Sequence, residues 1–320
     1  MVVIGSLLAL VSGMFNAAAA VLEKREGMST GLGRRGMQLL AALARRPAWL
    51  LAMALSALAW VGEAASLALA PVPVTATLRN AGRGLLVIGG ARWLKERFTF
   101  TELVGFVLAT TGGVITAISV VDSPVPRKLL SNLAQVLVAA GCILVAALVA
   151  ASSRWLAGEG RLAREGAVVS PGRERVAGLV MGAAVGVLYA GTGIFTKEVG
   201  DRVAVYGLAA GLKAALLSAG TWLMVSMAVW AQSLVQQAFR HANAASVSAV
   251  NACISSLGLI GAGFALYGES LPRGFNAVLL VCGIAVSLGG AVLLIATRPA
   301  DQVGGPVEEE GGAVQQGTGT

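Results

Sequence analysis

Trp60-Val61-Gly62-Glu63-Ala64-Ala65-Ser66-Leu67-Ala68-Leu69-Ala70-Pro71-Val72-Pro73-Val74-Thr75-Ala76-Thr77-Leu78-Arg79-Asn80-Ala81-Gly82-Arg83 is the stretch that decides the fold. It belongs to two runs, 50–70 and 74–88, that are apolar enough to lie in a bilayer, yet it carries one carboxylate and two guanidiniums. A charged side chain at mid-membrane costs roughly 2.5–3.5 kcal/mol, so such residues normally face a protein or water-lined interior and mark a pathway. Glu63 lies eight residues before Pro71 and Arg79 eight residues after it. A helical hairpin turning at 71–73 therefore sets both at one depth, about 12 Å from the turn, where they can pair. Arg83 follows Arg79 by four and shares its face, so the hairpin offers one negative and two positive groups.

The rest of the chain fits that reading. Of 320 residues, 56% are hydrophobic and only 12% charged, which predicts an all-α polytopic membrane protein and not a soluble globule. Runs of about 20 apolar residues, each long enough for one span, occur at 2–22, 49–70, 73–93, 103–121, 133–153, 176–196, 221–239, 244–266 and 276–296. That predicts nine transmembrane helices, or ten if the apolar segment 203–220 also crosses. The first run lacks a basic leader and has a counterpart later in the chain, so it reads as a retained span. With the N-terminus outside, the inside loops and tail hold sixteen of the 24 basic residues and the outside loops five. This positive-inside bias accounts for the net charge of +8 without nucleic acid, and it predicts cytoplasmic loops at 23–47 and 154–175 and a cytoplasmic C-terminus. Arg-rich composition and the lack of a targeting signal point to the plasma (inner) membrane. Cys142, Cys253 and Cys282 lie in apolar runs without metal or disulfide spacing and read as packing residues.

Sliding the chain on itself by 173 residues superposes Gly5 on Gly178, Lys24 on Lys197, Trp49 on Trp222, Val74 on Val247 and Glu96 on Glu269. The expected organisation is a first repeat at 1–121 with an amphipathic surface segment at 36–46, and a linker span and loop at 122–175. A second repeat at 176–298 and a disordered Gly- and Glu-rich tail at 299–320 complete it. One repeat plus the linker makes five spans, an odd number, so the second copy enters the membrane upside down. Inverted repeats are a common build for secondary transporters, with the substrate site near the midplane.

Ala68-Leu-Ala-Pro71-Val-Pro-Val-Thr75, the loop Lys95-Glu96-Arg97-Phe98, and Glu102-Leu-Val-Gly105 to Gly112-Gly113-Val114 resemble one repeat of the drug/metabolite transporter superfamily, the EamA-like fold. Gln236 to Ser246-Val247, Gly268-Glu269-Ser-Leu271 and Gly283 to Gly289-Gly290 resemble it again. In layout the chain is most similar to the nine-span NIPA magnesium-transporter family, through Gly62-Glu63, Thr221-Trp222 and the Gln-rich end of the Trp222 span. The resemblance covers about residues 2–297 and implies a secondary carrier. Arg79 and Arg83 depart from the NIPA pattern and point away from a cation as cargo.

The candidate substrate-binding residues are Glu63, Arg79, Asn80, Arg83, Gln236, Gln237 and Asn251. Glu63 is either a coupling or amine-binding carboxylate or the structural partner of Arg79. Gln236 is its counterpart in the second copy. Arg79 and Arg83 suit a carboxylate or phosphate through bidentate hydrogen bonds, whereas Arg83 can also snorkel to the surface. Asn80, Gln237 and Asn251 are either liners or inter-helix glue. Tyr189, Thr192 and Thr196 recur at one-turn spacing and either line a pore or pack a helix. No histidine pair, nucleophile elbow or phosphate loop suggests an enzyme, a metal centre or a cofactor. The expected function is a secondary carrier or exporter of small polar metabolites working by alternating access, proton-coupled or by exchange. The expected partners are a small-molecule substrate with an anionic group and the lipid bilayer, with homodimerisation left open. Rival readings are a NIPA-type magnesium or divalent-cation transporter and a non-transporting membrane subunit or lipid-handling protein.

Overall fold

The structure is a computed structural model that describes residues 2–29, 43–76, 78–79, 100–120, 128–156, 171–242 and 244–296. The described residues are almost wholly helical and include no strand. In chain order the helices are α1 (Val2–Ser29), α2 (Pro47–Leu69), α3 (Phe100–Ser119), α4 (Asn132–Leu156), α5 (Pro171–Tyr206), α6 (Leu208–Leu216), α7 (Ala219–His241), α8 (Ala244–Ala265) and α9 (Phe275–Ala296). Among the described residues five helices are long and apolar enough to cross a membrane, or six if α6 and α7, bent by 69°, count as one span. The expected span at 73–93 lies outside the described residues beyond Arg79, as do the segment at 36–42, the loop at 157–170 and the tail.

Two boundaries differ from those expected. The helix that starts at 2 does not end at 22 but runs to Ser29, and the helix expected at 176–196 runs from Pro171 to Tyr206. Charged residues end the hydropathy signal in both, but they do not end a helix, since Glu, Lys and Arg are good helix formers. The segment 203–220 is divided. Gly207, at φ +79°, takes a left-handed conformation open to glycine and breaks α5 from α6. The nine residues of α6 span only about 13 Å, less than half a bilayer core.

The long α5 is the hub, packing against α2, α4, α6, α7 and α8. On α4 the alanines 139, 146 and 150 are buried in the core with Leu188 and Phe195 of α5 and Met227 of α7. Its opposite face exposes Leu133, Leu137, Leu144 and Leu148. Small residues inward and leucines outward are the pattern of a helix with lipid as its solvent. α1 packs along α2, where Ser12 Oγ donates to the Ala59 carbonyl at 2.5 Å.

At Pro71 the chain turns as expected from its prolines. Ala70 is extended, and helical geometry resumes at Val72. Ser66 and Thr75 join their hydroxyls across the bend at 2.8 Å. Leu67, Val72 and Ala76 then pack with Ile194, Leu259 and Tyr267, tying the hairpin to α5 and α8.

α3 and α9 form the third close pair. They cross at Gly112 and Gly283, where a Cβ at either position would overlap the other helix's backbone, whereas Gly289 faces open space. Overpacking a tight contact costs about 1–3 kcal/mol. Gly112→Leu is therefore expected to lower the melting temperature in detergent by several degrees, while Gly289→Leu leaves it unchanged. Equal melting of the two variants would overturn this account of the crossing.

Candidate functional site

A cavity of about 570 Å³ lies between α2 and α7, with α1, α5 and α8 as its remaining walls. Helical periodicity puts residues three and four apart on one face, and the lining follows it. α2 contributes Trp49, Met53, Ser56, Trp60 and Glu63, and α5 contributes Tyr189, Thr192 and Thr196. α7 adds Met224, Ala228, Gln232, Val235 and Phe239, and α8 adds Ser248 and Asn251. Most of the surface is apolar, with a few polar groups at fixed places, the usual make-up of a small-molecule site.

Glu63 and Arg79 form an ion pair on this wall, Arg79 donating from Nη1 to Glu63 Oε1, with both residues buried. Nε and Nη2 of Arg79 are buried without a hydrogen-bond partner. Asn251 also lines the cavity, and its Oδ1 is likewise unpartnered. Gln236 is buried and turned toward α1, donating from Nε2 to Glu23 at 3.2 Å. Gln237 donates to the Ser233 carbonyl of its own helix at 3.0 Å. Asn80 and Arg83 lie outside the described residues. Tyr189, Thr192 and Thr196 all line the cavity, so the one-turn stripe faces open space as well as neighbouring helices.

Glu23 is the site residue that sequence reasoning missed. It follows the last apolar residue of the first run and so falls into the loop expected at 23–47, whereas α1 carries it helically into the cavity wall. Its carboxylate accepts from Gln232 Nε2 at 2.6 Å, from Gln236 and from Ser56 Oγ at 3.5 Å. The available signal was the pair of glutamines at 232 and 236, one turn apart in an apolar run. Trp60 was likewise not singled out, though its indole donates to Thr196 Oγ1 at 2.8 Å and links α2 to α5 across the cavity.

Beyond Thr196 the next turns of α5 enter a polar cluster. Lys197 and Asp201 are both 0% exposed and paired at 3.3 Å. Glu198 accepts from Arg202 and from Gln135 of α4, each at 2.6 Å. Gln135 Oε1 in turn accepts from the Gly220 N–H at 2.8 Å, so α4 caps the start of α7. Glu269, in the loop after α8, accepts the Val72 N–H at 3.3 Å. Lys197 and Arg202, which follow the apolar run at 176–196, are thus helical and hydrogen-bonded inside the protein. Among the described residues no group of three or more His, Cys, Asp and Glu side chains is placed to hold a metal ion.

Burial pushes the Glu269 carboxyl above its ordinary range, Lys197 and the Val72 N–H partly offset this, and Asp201 adds to the rise. The folded protein thus holds this proton more tightly than the unfolded chain, so the contribution to stability is fully present below about 4.5 and lost as pH rises through the folded value. Glu269→Gln keeps an acceptor for Val72 and removes the titration. It is expected to melt with the wild type at the acid end and a few degrees above it at neutral pH, and a wild type that gains on the variant as pH rises would overturn this. No protein-family model, curated protein or solved structure matches the chain.

Proposed function

We propose that the chain is a secondary membrane carrier of small polar metabolites, built as two inverted copies, 1–121 and 176–298, that work by alternating access. The observation that carries this reading is the position of the cavity between α2 and α7, the two helices that the 173-residue slide relates, with polar groups from both copies on its walls.

Two sets of contacts support the two-copy reading. Gly5 of α1 lies against residues 69 and 70 at the end of α2, and Gly178 of α5 lies against residues 241 and 242 at the end of α7. Trp60 of α2 donates to Thr196 of α5, and Gln232 of α7 donates to Glu23 of α1. Thr196 is Glu23 moved by 173 residues and Gln232 is Trp60 moved by 172, so the two bonds join equivalent places within a one-residue slip. By that slip the counterpart of Glu63 is Val235, which lines the cavity, and Gln236 is freed to meet Glu23.

A purely structural subunit would be expected to bury Glu63 and Arg79 in a dry, packed contact. Here the pair, though buried, lies among the residues that line the cavity. The unpartnered Nε and Nη2 of Arg79 support an anionic group on the cargo, since a guanidinium presents its remaining donors in a fork that matches carboxylate or phosphate. With no ATP-binding motif in the sequence, a proton gradient or exchange supplies the work. The reading places the protein in the plasma (inner) membrane with nine spans, the N-terminus outside and the C-terminus in the cytoplasm.

Two experiments test this. A cysteine placed at position 165 is expected to resist a membrane-impermeant maleimide in intact cells and to react after lysis, and labelling from outside would overturn the orientation. Metabolites that raise the melting temperature of the purified protein are expected to cross liposomes that contain it. Arg79→Lys keeps a charge opposite Glu63 but loses the fork, and it is expected to cut that flux by about tenfold or more while the protein still inserts. Stabilising metabolites that never cross would favour a non-transporting subunit. Magnesium flux indifferent to Arg79→Lys would favour the cation-transporter reading.

A further inference from the structure

The end of the cavity around Glu23 is built from acceptors. Ser56, which touches the Glu23 carboxylate, precedes Glu63 by seven residues, so this end lies about two turns, or roughly 10 Å, along α2 from the Glu63–Arg79 pair. Glu23 is 5% exposed, and among the described residues no basic side chain pairs with it. A carboxylate held by two glutamines fixes how those amides point, because each must turn its NH₂ toward the acceptor. Gln232 then offers Oε1 to the Tyr189 hydroxyl at 3.3 Å, but Gln236 Oε1 is left buried with no hydrogen-bond partner. Asn251 Oδ1, on the α8 wall, is in the same condition.

Buried acceptors are rarely left unpaired. On the cavity wall an orphaned carbonyl oxygen, Asn251 Oδ1, and a carboxylate without a basic partner, Glu23, suit a ligand that is positive and has several N–H groups. The apolar walls refine the class. Met53 and Trp60 of α2 face the cavity from one side and Ala228 and Val235 of α7 from the other, with the Tyr189 ring beside Gln232. Such walls fit a hydrocarbon or ring-bearing body and offer nothing to the water shell of a small metal ion. Aromatic faces near a cation add to its binding.

We propose that Glu23, with Asn251 Oδ1 on the α8 wall, receives the ammonium group of an organic amine whose apolar body lies between α2 and α7. The inference deepens the carrier reading, on which it rests for the cargo's passage though not for its binding. Together with Arg79 at the other end, it makes the cargo amphoteric.

Three indole compounds that share a ring and differ in charge test the site: tryptamine (cation), N-acetyltryptamine (neutral) and indole-3-propionate (anion). Binding to the full-length protein in detergent, followed by equilibrium dialysis, is expected to favour tryptamine over N-acetyltryptamine by about tenfold or more, as for a buried charge pair. Glu23→Gln is expected to erase that preference, and Asn251→Leu to weaken tryptamine several-fold while leaving the neutral compound unchanged. The charge series on the wild type stands even if Glu23→Gln fails to fold. Equal binding of tryptamine and N-acetyltryptamine, no binding of tryptamine, or a preference that survives Glu23→Gln would overturn the proposal. Selective tryptamine binding without flux into liposomes would keep the site and remove the carrier reading. Flux of other metabolites with no preference for the amine would keep the carrier and remove the site.

Discussion

A backbone N–H with no partner in an apolar medium costs several kcal/mol, and the break at Pro71 creates this problem between two apolar helical stretches. The Val72 N–H at the start of the new helix is met by the Glu269 carboxylate, 197 residues further along the chain. The same bend is closed by the Ser66–Thr75 hydroxyl pair and buried against Tyr267 and Leu259. Because the turn is fixed, the helix beyond it returns at the depth of Glu63, and Arg79 can reach that carboxylate. The Glu63–Arg79 contact on this wall follows from how one helix break is satisfied.

The Glu63–Arg79 pair is not thereby a source of net stability. Desolvating two charges costs several kcal/mol per ion, and their attraction repays this only in part, so a buried pair is weak evidence for stability and removing one partner is strongly unfavourable. What the pair does is hold a guanidinium at a cavity wall with two donors unused. The second half of the chain supplies rigidity. α5 is buried among five other helices, and its continuation past Thr196 locks α4, α6 and the start of α7 together through Glu198, Arg202 and Gln135. The cavity therefore sits between a well-anchored bundle and a hairpin held by α1, by its bend and by the Trp60–Thr196 bond.

The part of this legible in sequence was the part set by spacing. Eight residues on either side of Pro71 put Glu63 opposite Arg79, and the one-turn stripe of Tyr189, Thr192 and Thr196 marked one face of one helix. What stayed hidden depended on where a helix ends and how its register is turned. Glu23 sits just after an apolar run, and hydropathy ends there although the helix continues to Ser29. Lys197 and Asp201 look like loop residues for the same reason, yet they pair with each other in the interior. Gln236 and Gln237 are neighbours in sequence, but 100° of helix rotation sends one toward Glu23 and the other back onto its own backbone. No single-sequence pattern distinguishes the two.

The two bonds that bridge the cavity, Trp60 to Thr196 and Gln232 to Glu23, differ in kind. One ends on a hydroxyl and the other on a carboxyl, at 2.8 and 2.6 Å. Any movement that parts α2 from α5 breaks the first bond, and any that parts α7 from α1 breaks the second. The cavity is thus spanned by two latches of different chemistry, so its two sides need not open with equal ease.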